Sequence, residues 1–204
     1  MNQQVSNVIP LRPATDNQTV RRPNLDYRQR EYLTPDEMAR LLDAARSSGR
    51  YGSRNYAMIL IAYRHGLRVS ELIALRWSDV DWKGATIHIR RLKGSISGVH
   101  PLEGDELRAL RRLDRTGEYM FTSERGAPLS PDGFRKLIDR LAPVAGLEGL
   151  RLHPHMLRHA CGYALANRGV DTRTLQAYLG HSQIANTVRY TALDASRFRS
   201  LWAQ

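Results

Sequence analysis

The chain has 204 residues, a formal charge of +11 and a pI near 10.4. Its 28 Arg outnumber its three Lys (Lys83, Lys93, Lys136), and because the guanidinium fork grips phosphate bidentately, a nucleic-acid partner is favoured over a surface charged for solubility alone. The lone Cys161 excludes an intrachain disulfide, and no apolar run approaches the roughly 20 residues that span a bilayer, so a cytoplasmic, nucleoid-associated protein with no membrane partner is expected.

Residues 1–30 are polar, proline-punctuated and rich in Arg, without helical or strand periodicity, and read as a flexible basic arm. Order begins at LTPDEMARLLDAA, where Thr34 and Glu37 form a capping box, Pro35 takes the first helical position, and Met38, Leu41 and Leu42 make the apolar stripe. A second helix over about 54–65 carries AMILIAY, a continuous apolar stretch suited to a buried core helix, and stops at Gly66. Ser70 is expected to cap a short third helix, with Arg68 just ahead of it at a helix N-terminus that suits an anion.

The period changes over 85–102, where Ile87 and Ile89 alternate with His88 and Arg90 and Lys93-Gly94 looks like the turn of a β-hairpin. Helical spacing returns over 107–113, and again from Ser130-Pro131 through Phe134, Leu137, Ile138 and Leu141. Then comes HPHMLRHACGYALANRGVDTRTLQAYLGHSQIANTVRY, residues 153–190. Pro154 opens a helix on which His155 and Arg158, three apart, share a face; Gly169 ends it. Asp171 caps the next helix, Gly180 stops it, and Ser182 is read as a further cap before the turn carrying Tyr190. In the tail, Phe198, Leu201 and Trp202 spaced three and four apart predict an amphipathic helix over 192–204. The expected fold is mainly α with a small antiparallel β-sheet.

GLRVSEL at 66–72, HPHMLRH at 153–159 and LGHSQIANTVRY at 179–190 together resemble the three boxes of the tyrosine recombinase (phage integrase) family, and Lys93 falls in the hairpin where that family keeps a catalytic lysine. The likeness runs from about residue 32 onward. RRLKG, HPHMLRHACGYALANRGVDTR and YLGH further resemble the small fimbrial phase-variation DNA invertases. The resemblance implies a tyrosine recombinase catalytic domain over 31–204 behind the arm. It implies site-specific DNA cleavage and rejoining without metal or other cofactor. The implied partners are double-stranded DNA with inverted-repeat sites, three further copies of the chain as a homotetramer on paired sites, and DNA-bending accessory proteins.

The same residues make chemical sense by themselves. A phosphodiester needs charge neutralisation and a positioned nucleophile. Arg68 and Arg158 offer forks to the non-bridging oxygens, and His181 a further hydrogen bond. Tyr190 is the expected nucleophile, giving a 3′-phosphotyrosine and a free 5′-hydroxyl; His155 is its candidate base or orienter, and Lys93 the acid that protonates the departing oxygen. Glu71 reads as a support for Arg68. His155 and His159 also have the i,i+4 spacing of a zinc helix, but Met156 stands where that motif needs Glu, so no metal site is expected. Integration or excision of a mobile element, type IB topoisomerase action, and a non-catalytic DNA-binding regulator on the same scaffold are the competing readings.

Overall fold

In the computed structural model, residues 30–91 and 94–191 are described. Residues 1–29 of the arm expected over 1–30, Lys93, and the expected helix over 192–204 lie outside them. Helix α1 spans Pro35–Arg46, with the Thr34/Glu37 capping box formed on both sides: Glu37 N–H donates to Thr34 Oγ1 at 3.3 Å and Thr34 N–H to Glu37 Oε2 at 2.8 Å. Helix α2, Gly52–Arg64, is the buried centre of the molecule, its Ala57–Ala62 run sealed from solvent as its unbroken apolar sequence demands. It packs against α1, α4 (Gly104–Arg111) and α6 (His155–Asn167).

Helix α3, Val69–Ile73, is capped differently from expectation. Ser70 lies inside it, and Arg68 is the N-cap residue, its backbone N–H bound by the Glu71 carboxylate at 2.9 Å. The Glu71 carboxylate, three residues in, satisfies the cap residue's own N–H, the return arm of a capping box. After a 3₁₀ turn at Trp77–Asp79 come β1 (Val80–Asp81), β2 (Thr86–Ile89) and β3 (Gly98–Pro101), forming a three-stranded antiparallel sheet in the order β1-β2-β3. The register pairs Val80 with Ile87 and Ile87 with His100. Ile87 and Ile89 are buried and His88 exposed, as the alternation predicts; the two-residue β1 is too short to show a period.

Helix α5 (Pro131–Val144) has Ser130 as its N-cap and buries Phe134, Leu137, Ile138 and Leu141. Helix α6 then leads to α7 (Thr172–Leu179), whose N-cap Asp171 accepts from the backbone N–H groups of Arg173 and Thr174, and to α8 (Ala185–Thr191), which starts beyond the Ser182 read as its cap. Helices α6, α7 and α8 pack on one another. Two glycines make that junction possible. Gly66 (φ +56°) and Gly180 (φ +68°) adopt left-handed backbone, and a methyl group at Gly66 would stand 2.5 Å from Leu179 Cδ2.

Candidate active site

The end of α2, the start of α3, the hairpin edge and the end of α7 meet around three guanidinium groups. Arg158 is buried on α6, and its Nη1 donates to the Gly66 carbonyl while Nη2 donates to that of Leu179 at 2.7 Å. Arg91, also buried, donates to Gly66 O at 3.3 Å, His65 O at 3.0 Å and Tyr178 O at 2.9 Å. It pairs with Glu71 Oε2 at 2.7 Å, and Glu71 Oε1 takes Arg68 Nη1 at the same distance. One buried carboxylate therefore bridges two cations. Burial would raise the Glu71 pKa, but the Arg68 N–H, the charge of Arg91 and the bonds from both guanidiniums outweigh it and hold it below the ordinary carboxylate value.

Arg68 is the member of this cluster that reaches water: its side chain is 34% exposed, against about 1% for Arg91 and Glu71. It also donates to Ser95 Oγ at 3.1 Å, next to the hairpin. Burial, then the charges of Arg91 and Arg68, lower Arg158 to a pKa of about 10, which leaves it charged at neutral pH. The result is a preorganised positive cluster with one face open, suited to an anionic phosphodiester.

Tyr190 sits on α8 beside this cluster and is only 4% exposed. Its ring lies over Gly162 of α6, where a methyl group would stand 2.7 Å from ring carbons Cε1 and Cζ. Tyr163 meets it edge-on at 5.2 Å, and the His181 ring stacks at 6.3 Å with 10° between planes. Burial pushes the phenol up to a pKa of about 12, against the pull of Arg158 and Arg189. Its hydroxyl lies 2.8 Å from Nδ1 of His159. His181 Nδ1 contacts Thr187 Oγ1 at 2.8 Å, and burial with Arg158, Arg68, Arg91 and Arg189 lowers its pKa to about 4.

Arg68, His155, Arg158, His181 and Tyr190 thus gather in one region, with Lys93 outside the described residues. His155 differs from expectation in its contacts. It is exposed and meets the edge of the His159 ring at 4.6 Å. Desolvation, then His159, Arg158, His153 and Arg68, lower its pKa to about 4. The nitrogen that reaches the Tyr190 hydroxyl belongs to His159. Arg91, His159, Gly162 and Thr187 are absent from the sequence-predicted set. Arg91 left a readable signal, since it continues the inward parity of Ile87 and Ile89. Among the described residues, no group of three or more His, Cys, Asp or Glu side chains is arranged to hold a metal ion.

A family model described as the phage integrase family matches residues 31–197. The chain belongs to the phage integrase family. This family member is 47% identical over 187 residues to the type 1 fimbriae regulatory protein FimE of Escherichia coli K12, which covers 85% of this chain and 91% of FimE. The crystal structure of XerA recombinase matches it with a TM-score of 0.70 at 32% identity, over 85% of this chain and 64% of XerA. XerH site-specific recombinase, solved bound to its difH substrate, shares the fold with a TM-score of 0.71 at 22% identity, over 86% of this chain and 55% of XerH. The mainly helical architecture with a three-stranded antiparallel sheet is that of the tyrosine recombinases, and no described helix is long and apolar enough to cross a membrane.

Proposed function

We propose that this phage integrase family member inverts a promoter-bearing DNA segment controlling fimbrial expression, cutting and rejoining each strand through a 3′-phosphotyrosine at Tyr190. Its family makes it a tyrosine site-specific recombinase acting on DNA. The observation carrying the finer reading is its identity to FimE across nearly the whole of a protein named as a regulator of type 1 fimbriae.

In this reading Arg68 and Arg158 hold the non-bridging oxygens of the scissile phosphate. Arg68, half-open to solvent, meets the DNA, and Arg158, fixed by two backbone carbonyls, needs no reorganisation as charge develops. His181 adds a hydrogen bond through Nε2, its Nδ1 being occupied by Thr187. Lys93 protonates the departing 5′-oxygen, and His155 orients groups at the exposed edge of the site. The bond energy is kept as phosphotyrosine, so a second strand end reseals the DNA with no nucleotide. Four copies on two inverted sites supply the four cleavages of a complete exchange, and the catalytic domain over 31–204 carries the chemistry while residues 1–30 track the DNA backbone. Losing the Arg68 fork is expected to slow cleavage about 10²–10³-fold.

The test is a plasmid with a reporter promoter between the inverted repeats of the chain's own gene neighbourhood. Expression of the wild-type chain reverses the promoter and Tyr190→Phe leaves it fixed. Deletion or intermolecular joining at those sites, with no reversal, would assign the protein to a mobile element instead.

A further inference from the structure

We propose that His159 is a further catalytic residue, taking the proton from Tyr190 as the phenol oxygen attacks phosphorus; this rests on Tyr190 being the nucleophile. His159 Nδ1 lies 2.8 Å from Tyr190 Oη, within the reach a general base needs. The contact is fixed from both sides. His159 is 5% exposed on the middle of α6, and Tyr190 is pinned over Gly162, one turn further along the same helix. His155, the base suggested by the motif spacing, points its exposed ring at His159 instead.

The chemistry calls for such a group. A phenol pushed up to a pKa of about 12 is ionised in only about one molecule in 10⁵ at neutral pH, so its proton must leave during attack. Titratable and charged groups surround the pair. They are His155, Arg158 and the Cys161 thiol on α6, Arg68 at the α3 cap, His181 between α7 and α8, Arg189 on α8, and the phenols of Tyr63 and Tyr163. Glu31 stands beyond them, 3.8 Å from Arg189.

The step balances. The Oη–H proton moves to Nδ1 as the Oη–P bond forms and the P–O5′ bond breaks, and the departing oxygen receives its proton from the acid on its own side. In rejoining, the 5′-hydroxyl attacks and loses its proton, P–Oη breaks, and His159 returns its proton to Tyr190. Between the steps the imidazolium lies beside the phosphotyrosine linkage.

The experiment is single-turnover cleavage of a nicked duplex, whose short fragment diffuses away, measured between about pH 5 and 9. The wild type is expected to show an acid limb falling about tenfold per pH unit. His155→Asn keeps that limb. His159→Asn, which retains a hydrogen-bonding amide but cannot titrate, loses the limb and at least about 100-fold in rate. An acid limb that survives in His159→Asn would overturn the proposal, as would faster cleavage by that variant, the mark of a latch. A flat wild-type profile overturns it without any variant having to fold. A covalent complex formed by Tyr190→Phe removes the nucleophile itself, a failure distinct from that of His159.

Discussion

The described residues form two apolar clusters of unequal size, and the proposed chemistry is divided between them. The larger gathers α1, α2, α5 and the sheet around Leu41, Ile59, Ile61, Leu72, Ile87 and Phe134. The smaller gathers Cys161, Ala166, Leu175, Leu179 and Tyr190, with Tyr63, Tyr163 and Tyr178 among the residues packed at its edge. Of the groups assigned to phosphate binding, Arg68 is anchored to the larger frame through Glu71 and Arg158 ties the two together through the Gly66 and Leu179 carbonyls, whereas the proposed nucleophile is itself part of the smaller cluster. A charge that must be preorganised is held by a deep core; a residue that must reach into a second molecule is held by a shallow one.

That contrast predicts separable effects of substitution. Arg91→Met should cost the most stability, about 3–5 kcal/mol, because it leaves the Glu71 carboxylate and several carbonyls short of a buried partner. For a chain of this size that is on the order of 10 °C in Tm, read by calorimetry. Cleavage should fall with it, since Glu71, the carboxylate that holds Arg68, loses its buried cation. Leu41→Ala, at a fully buried site of the larger cluster, should cost about 2–5 kcal/mol. In that variant the rate per folded molecule should stay at the wild-type level, measured by titrating active protein with trapped covalent complex.

Acid acts on both regions. His100, in the sheet, is lowered to a pKa of about 3 by burial, then by His65 and Arg91, and His181, in the small region, to about 4. Both are neutral when folded and charge when unfolded below the ordinary value of 6.5, so the unfolded state binds more protons. Stability is therefore full above about pH 6.5 and falls as pH drops towards 4, by about 1.4 kcal/mol per unit for each histidine. Below the folded values the loss levels off. Urea midpoints across that window check the slope, and His100→Asn should flatten it.

Gly162→Ala should move function far more than stability. Alanine favours a helix interior by about 0.5–1 kcal/mol over glycine, which offsets the packing lost when the Tyr190 ring is displaced. Tm should shift by under about 4 °C. Cleavage should drop at least about tenfold, because small displacements of a reacting group are costly. Wild-type cleavage in this variant would mean that the seat over Gly162 is not the working position of Tyr190.

The sequence was most legible where one residue type enforces one geometry. Thr34 and Glu37, Asp171, Gly66, Gly169 and Gly180 marked helix ends because capping and left-handed backbone have few alternatives. The alternation of Ile87 and Ile89 marked the inward face of β2. The three boxes supplied Arg68, His155, Arg158, His181 and Tyr190 as a set. What stayed hidden depended on contacts between distant segments. Arg91 shares the inward parity of Ile87 and Ile89, but what it binds is set only when Tyr178, 87 residues away, accepts its hydrogen bond. His159 shows in the sequence only a zinc-helix spacing that Met156 argues against, and its contact appears when α8 brings Tyr190 against it, 31 residues on. Glu71 in place of Ser70 as the capping side chain reflects a carboxylate already held by two arginines.

The central claim, a metal-free phosphotyrosine enzyme with Tyr190 as its nucleophile, is met most directly by covalent trapping. The protein in EDTA is mixed with a nicked duplex bearing the inverted repeats that flank its gene neighbourhood, and the products are run on a denaturing gel and digested for mass spectrometry. The account predicts a shifted band with DNA attached to the peptide containing Tyr190, absent in Tyr190→Phe, which still binds the duplex. Tight, salt-sensitive binding with no covalent band on any such site, or DNA attached to a different residue, would contradict it.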